Sequence, residues 1–190
     1  MKELEEAIKN TFQLPEGVLN EFVSCWEKVS FQKKSILSEL DKTDRYIYFT
    51  ISGIQKAYYL INGKENIISF TQPNNFTCAP ESFLTQTPSK YYFQCITGSE
   101  FYRLSYKDFS LQIKKHPEIL EFIFAALMGF VNNTNERFKK RTTLTIEQKF
   151  ENFMNSDAHL INLIPHKDIA NYLSMNPTNF SKLLNNVRVE

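Results

Sequence analysis

The stretch that most constrains this chain lies near its carboxyl end, from Ile164 to Leu184. Two short helices joined by a tight turn must bury a small shared core. That arrangement needs a small residue at the crossing, here Ala170, and a residue that tolerates the turn, here Ser174. It also needs apolar plugs on both helices, and Ile169, Leu173, Met175, Phe180 and Leu183 supply them. Asn176 is suited to cap the second helix, and Pro177 to open it, where a missing amide hydrogen leaves no donor unsatisfied. The outward positions Thr178, Asn179, Ser181, Lys182 and Asn185 all carry hydrogen-bonding groups, and His166 and Lys167 stand on the first helix. No acid lies between Asn176 and Val187. A polar, acid-free second helix is the type that enters a DNA major groove, where Asn can pair with adenine and Lys can reach guanine. The plainer alternative is a helical hairpin that only packs; spacing alone does not separate the two, but spacing combined with this polarity favours DNA.

Upstream the pattern is of another kind. From about Val29 to Leu104, runs rich in Tyr, Phe and Ile alternate with turn signals. Tyr46–Ile51 ends at Ser52-Gly53, Ala57–Ile61 meets Asn62-Gly63 before Ile67–Phe70, and Tyr91–Ile96 turns at Gly98-Ser99 into Phe101–Leu104. Asn-Gly between two such runs predicts a type I′ hairpin. An aromatic content of 14% suits a strand-rich core. The expectation is an α+β chain whose antiparallel β-barrel or jelly-roll sensor domain spans residues 1–116, opening with short helices over residues 1–27.

Pro117 then predicts a long helix to about Arg141. Its first half is apolar on nearly every side, more than one neighbour can cover. A second copy of the same helix in a homodimer is the economical cover. Ile119, Ile123, Ala126, Leu127 and Phe130 are the expected seam. A hinge near Thr142-Thr143 leads into residues 142–190, the helix-turn-helix unit.

Other chemistry finds little support. Three widely spaced cysteines (Cys25, Cys78, Cys95) make neither a disulfide framework nor a thiolate metal site. The strand region contains no His, which argues against a metal-dependent barrel enzyme, and His116, His159 and His166 are scattered. No metal, cofactor or catalytic constellation is expected, and the chain is read as a non-enzyme. The net charge of +1 is neutral on DNA, although Lys139, Lys140, Arg141, Lys149, Lys167, Lys182 and Arg188 make the tail mildly basic. An acidic start and the lack of a long apolar run predict a cytoplasmic protein with no membrane contact.

Together, a strand-rich barrel, a long apolar helix and the Ile164–Leu184 motif make the chain resemble the CRP/FNR family of bacterial transcription regulators. Ser82–Tyr91 looks like the branch of that family with a degenerate effector site. The resemblance implies a cyclic-nucleotide-binding-like barrel, a dimerising helix from Pro117 and a winged-helix-type DNA-binding unit with Pro177–Asn186 as recognition helix. It implies a palindromic double-stranded operator and RNA polymerase as partners. Where members carry an Arg–Glu–Arg trio, this chain has Pro177, Thr178 and Lys182, so its operator should differ. Little chain remains beyond Arg188 to form a wing.

In the same family pattern a carboxylate serves the ribose and an Arg the cyclic phosphate. The matching region here offers Glu81 and Ser82, with Pro80 in place of Gly. The Arg position falls on Tyr91, with Lys90 beside it and Tyr92 replacing a small hydroxyl residue. Lysine does not reproduce the guanidinium fork. The expected effector, if the barrel has one, is a small molecule other than cyclic AMP. The alternative is a sensor or interaction module that has lost DNA.

Overall fold

A computed structural model describes residues 1–187. The chain opens with α1 (Lys2–Thr11) and α2 (Glu16–Ser24). Eight strands follow: β1 (Glu27–Phe31), β2 (Ile36–Ser38), β3 (Tyr46–Ser52), β4 (Gln55–Ile61), β5 (Lys64–Thr71), β6 (Phe76–Thr77), β7 (Tyr92–Cys95) and β8 (Ser99–Ser105). A short α3 (Pro80–Thr85) lies between β6 and β7. The rest is helical: α4 (Tyr106–Lys115), α5 (Ile119–Thr143), α6 (Ile146–Asp157), a 3-10 turn (Ala158–Asn162), α7 (His166–Tyr172) and α8 (Pro177–Val187).

The strands form two antiparallel four-stranded sheets, in the orders β1-β8-β3-β6 and β2-β7-β4-β5. This is a jelly-roll-like sandwich, one of the two forms expected, and not the other, a closed barrel. Among the described residues no ladder joins the sheets, so β1, β6, β2 and β5 remain edges. The sheets touch instead through side chains. Thr50 and Gln55 are fully buried and hydrogen-bond each other, and they reach Thr77 and Ser99 at 3.1 and 3.0 Å. The predicted hairpin is present: Asn62 and Gly63 have φ of 51° and 74°, and Ile61 pairs with Lys64. The two positive φ values suit Asn and Gly and match the strand twist.

A helical layer closes one end. Leu4, Ile8, Leu19 and Phe22 of α1 and α2 bury against Phe49, Phe83, Leu104, Phe109 and Phe122. The start of α5 belongs to this core, since Ile119 and Phe122 are buried. Pro117 stands in the turn before the helix, which begins two residues later than expected. No helix among the described residues is long and apolar enough to cross a membrane.

The carboxyl end builds a second core. Thr145 and Gln148 form a reciprocal capping box that starts α6. α7 ends on Ser174, whose φ of 56° reverses the chain. The Met175 amide donates to Ala170 O and the Ser174 amide to Asn171 O, which satisfies the last carbonyls of α7. Asn176 then accepts the Thr178 amide at 2.8 Å through its side chain, capping α8. Ile169, Ala170, Leu173, Met175, Phe180 and Leu184 are buried between the helices, and Leu183 is half-buried against them.

Candidate nucleic-acid interface and effector cavity

Apolar and polar residues of α8 separate cleanly. Phe180 and Leu184 are buried, whereas Thr178, Asn179, Ser181, Lys182 and Asn185 are exposed. His166 and Lys167 at the start of α7 are exposed as well. Lys182 is the one charged residue on α8, and no salt bridge among the described residues engages it. Ser181 returns its hydroxyl to Pro177 O, leaving its oxygen able to accept. The surface is a short polar strip that carries Lys182 and the positive end of a helix dipole, with Lys167 exposed on α7. The expected wing lies outside the described residues.

The residues expected at an effector site are only partly gathered. Glu81 is half-buried at the start of α3, and the Tyr91 hydroxyl donates to its carboxylate at 3.3 Å. Tyr91 is buried beside Tyr59 and Phe93, with its phenol pushed well above the ordinary range by burial and by Glu81. Ser82 is fully buried and engaged: it accepts the Asp44 amide and donates to Thr87 O. Lys90 is exposed. At the same end of α3, the buried Asp44 carboxylate accepts the Ala79 amide at 3.0 Å and the Ser38 hydroxyl. Burial raises the Asp44 carboxyl despite these donors. A phosphate arriving there would meet a carboxylate, a neutral phenol and no guanidinium.

The open space lies elsewhere. A half-open cavity of about 770 Å³ is walled by α1, by Phe22 and Trp26, by Ser69–Gln72 of β5 and its following loop, and by α5 from Phe122 to Arg137. None of Glu81, Ser82, Lys90 or Tyr91 lines it. Its titratable lining consists of Glu3, Glu6, Cys78 and Arg137. Sequence reading missed this cavity because its walls come from residues far apart in the chain. A signal was present only in α5, whose apolar surplus called for more than one partner.

Packing within the subunit withdraws part of the expected seam on α5. Ile119 is fully buried in its own subunit, so it has no surface to offer a second chain. Ile123 and Ala126 pack on the same core, and together with Leu127 and Phe130 they line the cavity. Phe130 of the expected seam is itself 44% exposed. The other uncovered large apolar residues of α5 are Leu120, Phe124, Met128, Val131 and Phe138, exposed by 41–67%. At about 100° per residue these five share one face, turned away from Ile119 and Ala126.

Residues 28–116 match the cyclic nucleotide-binding domain family. No curated protein matches the chain in sequence. Solved structures share its fold over most of its length. FixK2 from Bradyrhizobium japonicum is 14% identical, with 86% of this chain and 85% of that one aligned at a TM-score of 0.75. The c-di-GMP responsive global regulator CLP from Xanthomonas campestris is 10% identical over 92% of each chain, with a TM-score of 0.71. The catabolite activator protein of Thermus thermophilus is 13% identical over 92% of this chain and 84% of its own, at 0.57.

Proposed function

We propose that this chain is a cytoplasmic, non-enzymatic transcription regulator that works as a homodimer and reads a two-fold symmetric DNA site through α8. The observation that carries this reading is the division of α8 into a buried apolar side and an exposed, acid-free side held by the Asn176 cap. Such a helix can lie in a major groove with its amino-terminal half against base edges. Thr178, Asn179 and Lys182 are the base-contacting residues in this proposal, and Ser181, Asn185, His166 and Lys167 contact phosphates or adjacent bases. The likeness to a global regulator and a catabolite activator supports the assignment. RNA polymerase is the further partner such a regulator would engage.

Dimerisation is assigned to the exposed stripe of α5. Five large apolar side chains on one face need cover, and two copies packed there would present their α8 helices as a symmetric pair.

The effector is assigned to the cavity, and to a chemistry other than cyclic AMP. Two glutamates and one arginine among the lining titratable groups give no surplus of positive charge for a phosphate. The apolar wall of Phe22, Trp26, Phe76 and Phe122 suits an uncharged, largely apolar molecule.

Selection of bound sequences from random duplexes tests the central claim. The expected product is a palindrome with half-sites about one helical turn apart. Recovery of no consensus, or of an asymmetric one, overturns it. Binding should also weaken steeply as salt rises, because phosphate contacts release counterions.

A further inference from the structure

β5 is an edge strand of its sheet. An edge leaves backbone donors and acceptors unpaired, and proteins cover such edges or blunt them. Here the cover comes from the chain's own carboxyl end. Asn171 of α7 accepts the Ile67 amide through Oδ1 at 2.8 Å and donates through Nδ2 to Glu65 O at 2.8 Å. One carboxamide thus behaves as a peptide unit added to the strand.

Charge and packing reinforce this contact. Lys56 on the neighbouring β4 is 6% exposed, and its ammonium donates to Glu65 and, at 3.3 Å, to Asp168 of α7. Phe70 packs on Tyr172 with ring centroids 5.1 Å apart. Beyond the strand, Gln72 donates to Asp157 at 2.8 Å and its carbonyl pairs with His159 at 2.7 Å. Ile54 and Ile96 of the sandwich join the buried cluster of α6, α7 and α8. Ala57 and Tyr58 of β4 pair with Ser69 and Ile67, so Ile68 is the extra residue of a bulge in β5 itself, next to Ile67. Bulges bend a strand and re-aim its groups.

We infer that β5 is a docking edge for the chain's own α7–α8 pair, holding the DNA-reading helix in one orientation against the sensor sheet. The consequence for DNA rests on the reading of α8 proposed above. The docked state leaves Thr178, Asn179, Ser181, Lys182 and Asn185 exposed, so docking arranges the reading surface rather than hiding it. Without the dock, the pair would hang from Leu144 and Thr145, the two residues between α5 and α6. Two loosely tethered helices must be ordered when both half-sites are engaged, and that ordering opposes binding. Ser69–Gln72 also wall the cavity, so the docking edge and the effector space share a strand.

Two variants test the dock in the full chain. Asn171→Ala removes both bonds to β5, and Gln72→Ala removes the pair to Asp157 and His159 while sparing the buried contacts. Amide hydrogen exchange should rise about tenfold at Ile67 in Asn171→Ala, with Phe49 and Phe101 in the other sheet unchanged. Gln72→Ala should move Ile67 in the same direction by less, and it preserves the test should Asn171→Ala fail to fold. DNA affinity should fall about fivefold in parallel. Unchanged exchange at Ile67 in both variants overturns the dock. Faster exchange with undiminished DNA affinity overturns its positioning role. If the unaltered chain holds no DNA while Ile67 still responds to the variants, the dock is upheld and the regulator reading falls.

Discussion

Gly53 illustrates how a single position can be locked from two directions. Its φ is 89°, and an added Cβ would sit 2.5 Å from Gly98 O and 2.8 Å from Ser99 Cα. Neither neighbour is a flexible side-chain end, so the backbone itself would have to move. Gly53→Ala should therefore destabilise the chain by about 2 kcal/mol, read as a lower denaturation midpoint with an unchanged slope. At Asp44 the argument concerns a proton. Burial raises its folded-state carboxyl above the ordinary value of 3.8. A raised acid binds a proton more tightly when folded, so stability is gained as pH falls from the folded value toward 3.8. Asp44→Asn cannot make that gain, and its stability relative to the native chain should decline as pH is lowered from about 7 to about 4. Glu21 acts in the opposite sense. Hydrogen bonds from Lys115, His116 and Gln112 hold it at about 2, so its contribution is present above the ordinary glutamate range and is lost on acidification toward that value. At the proposed DNA surface, Lys182→Ala and Asn179→Ala remove exposed groups that support no packing. Each should weaken operator binding by about 1–3 kcal/mol in a titration, with the fold intact by circular dichroism.

Helices and strands differ in how openly the sequence declares them. The Asn62-Gly63 hairpin, the Asn176-Pro177 start of α8 and the Ser174 turn depend on neighbouring residues, and each forms where the sequence expects it. The closure of the sheets is a different matter. Whether β1 and β6 meet β2 and β5 depends on register between distant strands, and alternation along one strand carries no such information. Lys56 was equally silent: its partner Asp168 lies 112 residues away, and nothing local marks a strand lysine for burial. Of the candidate site, the polar face of α8 was legible because helical periodicity sorts it from Phe180 and Leu184. The cavity was not, because α1, β5 and α5 meet only in the fold. α5 lies between these cases. Its apolar surplus was plain, but which side faces its own subunit was fixed by packing against Phe22 and Phe76, whose rings lie 6.2 and 6.0 Å from Phe122. The seam prediction moves accordingly to Phe124, exposed by 62%. Phe124→Glu should yield monomers in sedimentation and lose high-affinity DNA binding, because a charge opposite its own symmetry mate is repelled and desolvated. A dimer of unchanged stability would place the seam elsewhere.

At the scale of the whole molecule, two spaces compete for the role of effector site. The first is the end of α3, where the Tyr91 hydroxyl donates to Glu81 and the Asp44 carboxylate accepts the Ala79 amide. A cyclic phosphate there would face the Asp44 and Glu81 carboxylates, with the Tyr91 hydroxyl already committed to Glu81. The second is the cavity between α1, β5 and α5, large enough for a drug-sized molecule and walled in part by the rings of Phe22, Trp26, Phe76 and Phe122. Its wall contains Trp26, the single tryptophan of the chain. Because Trp26 stands on the wall, its emission reports on any rearrangement there. The uncharged fluorophore N-phenylnaphthylamine should quench Trp26 emission by energy transfer and saturate at micromolar concentration. Cyclic AMP and cyclic GMP should leave that emission unchanged and give no calorimetric signal in the same range. Filling the cavity from α5 with Ala126→Trp would add a second emitter, so Ala126→Phe is the better control, and it should weaken the fluorophore while leaving the Phe124 face free to dimerise. Saturable cyclic-nucleotide binding that Ala126→Phe does not affect would return the effector to α3.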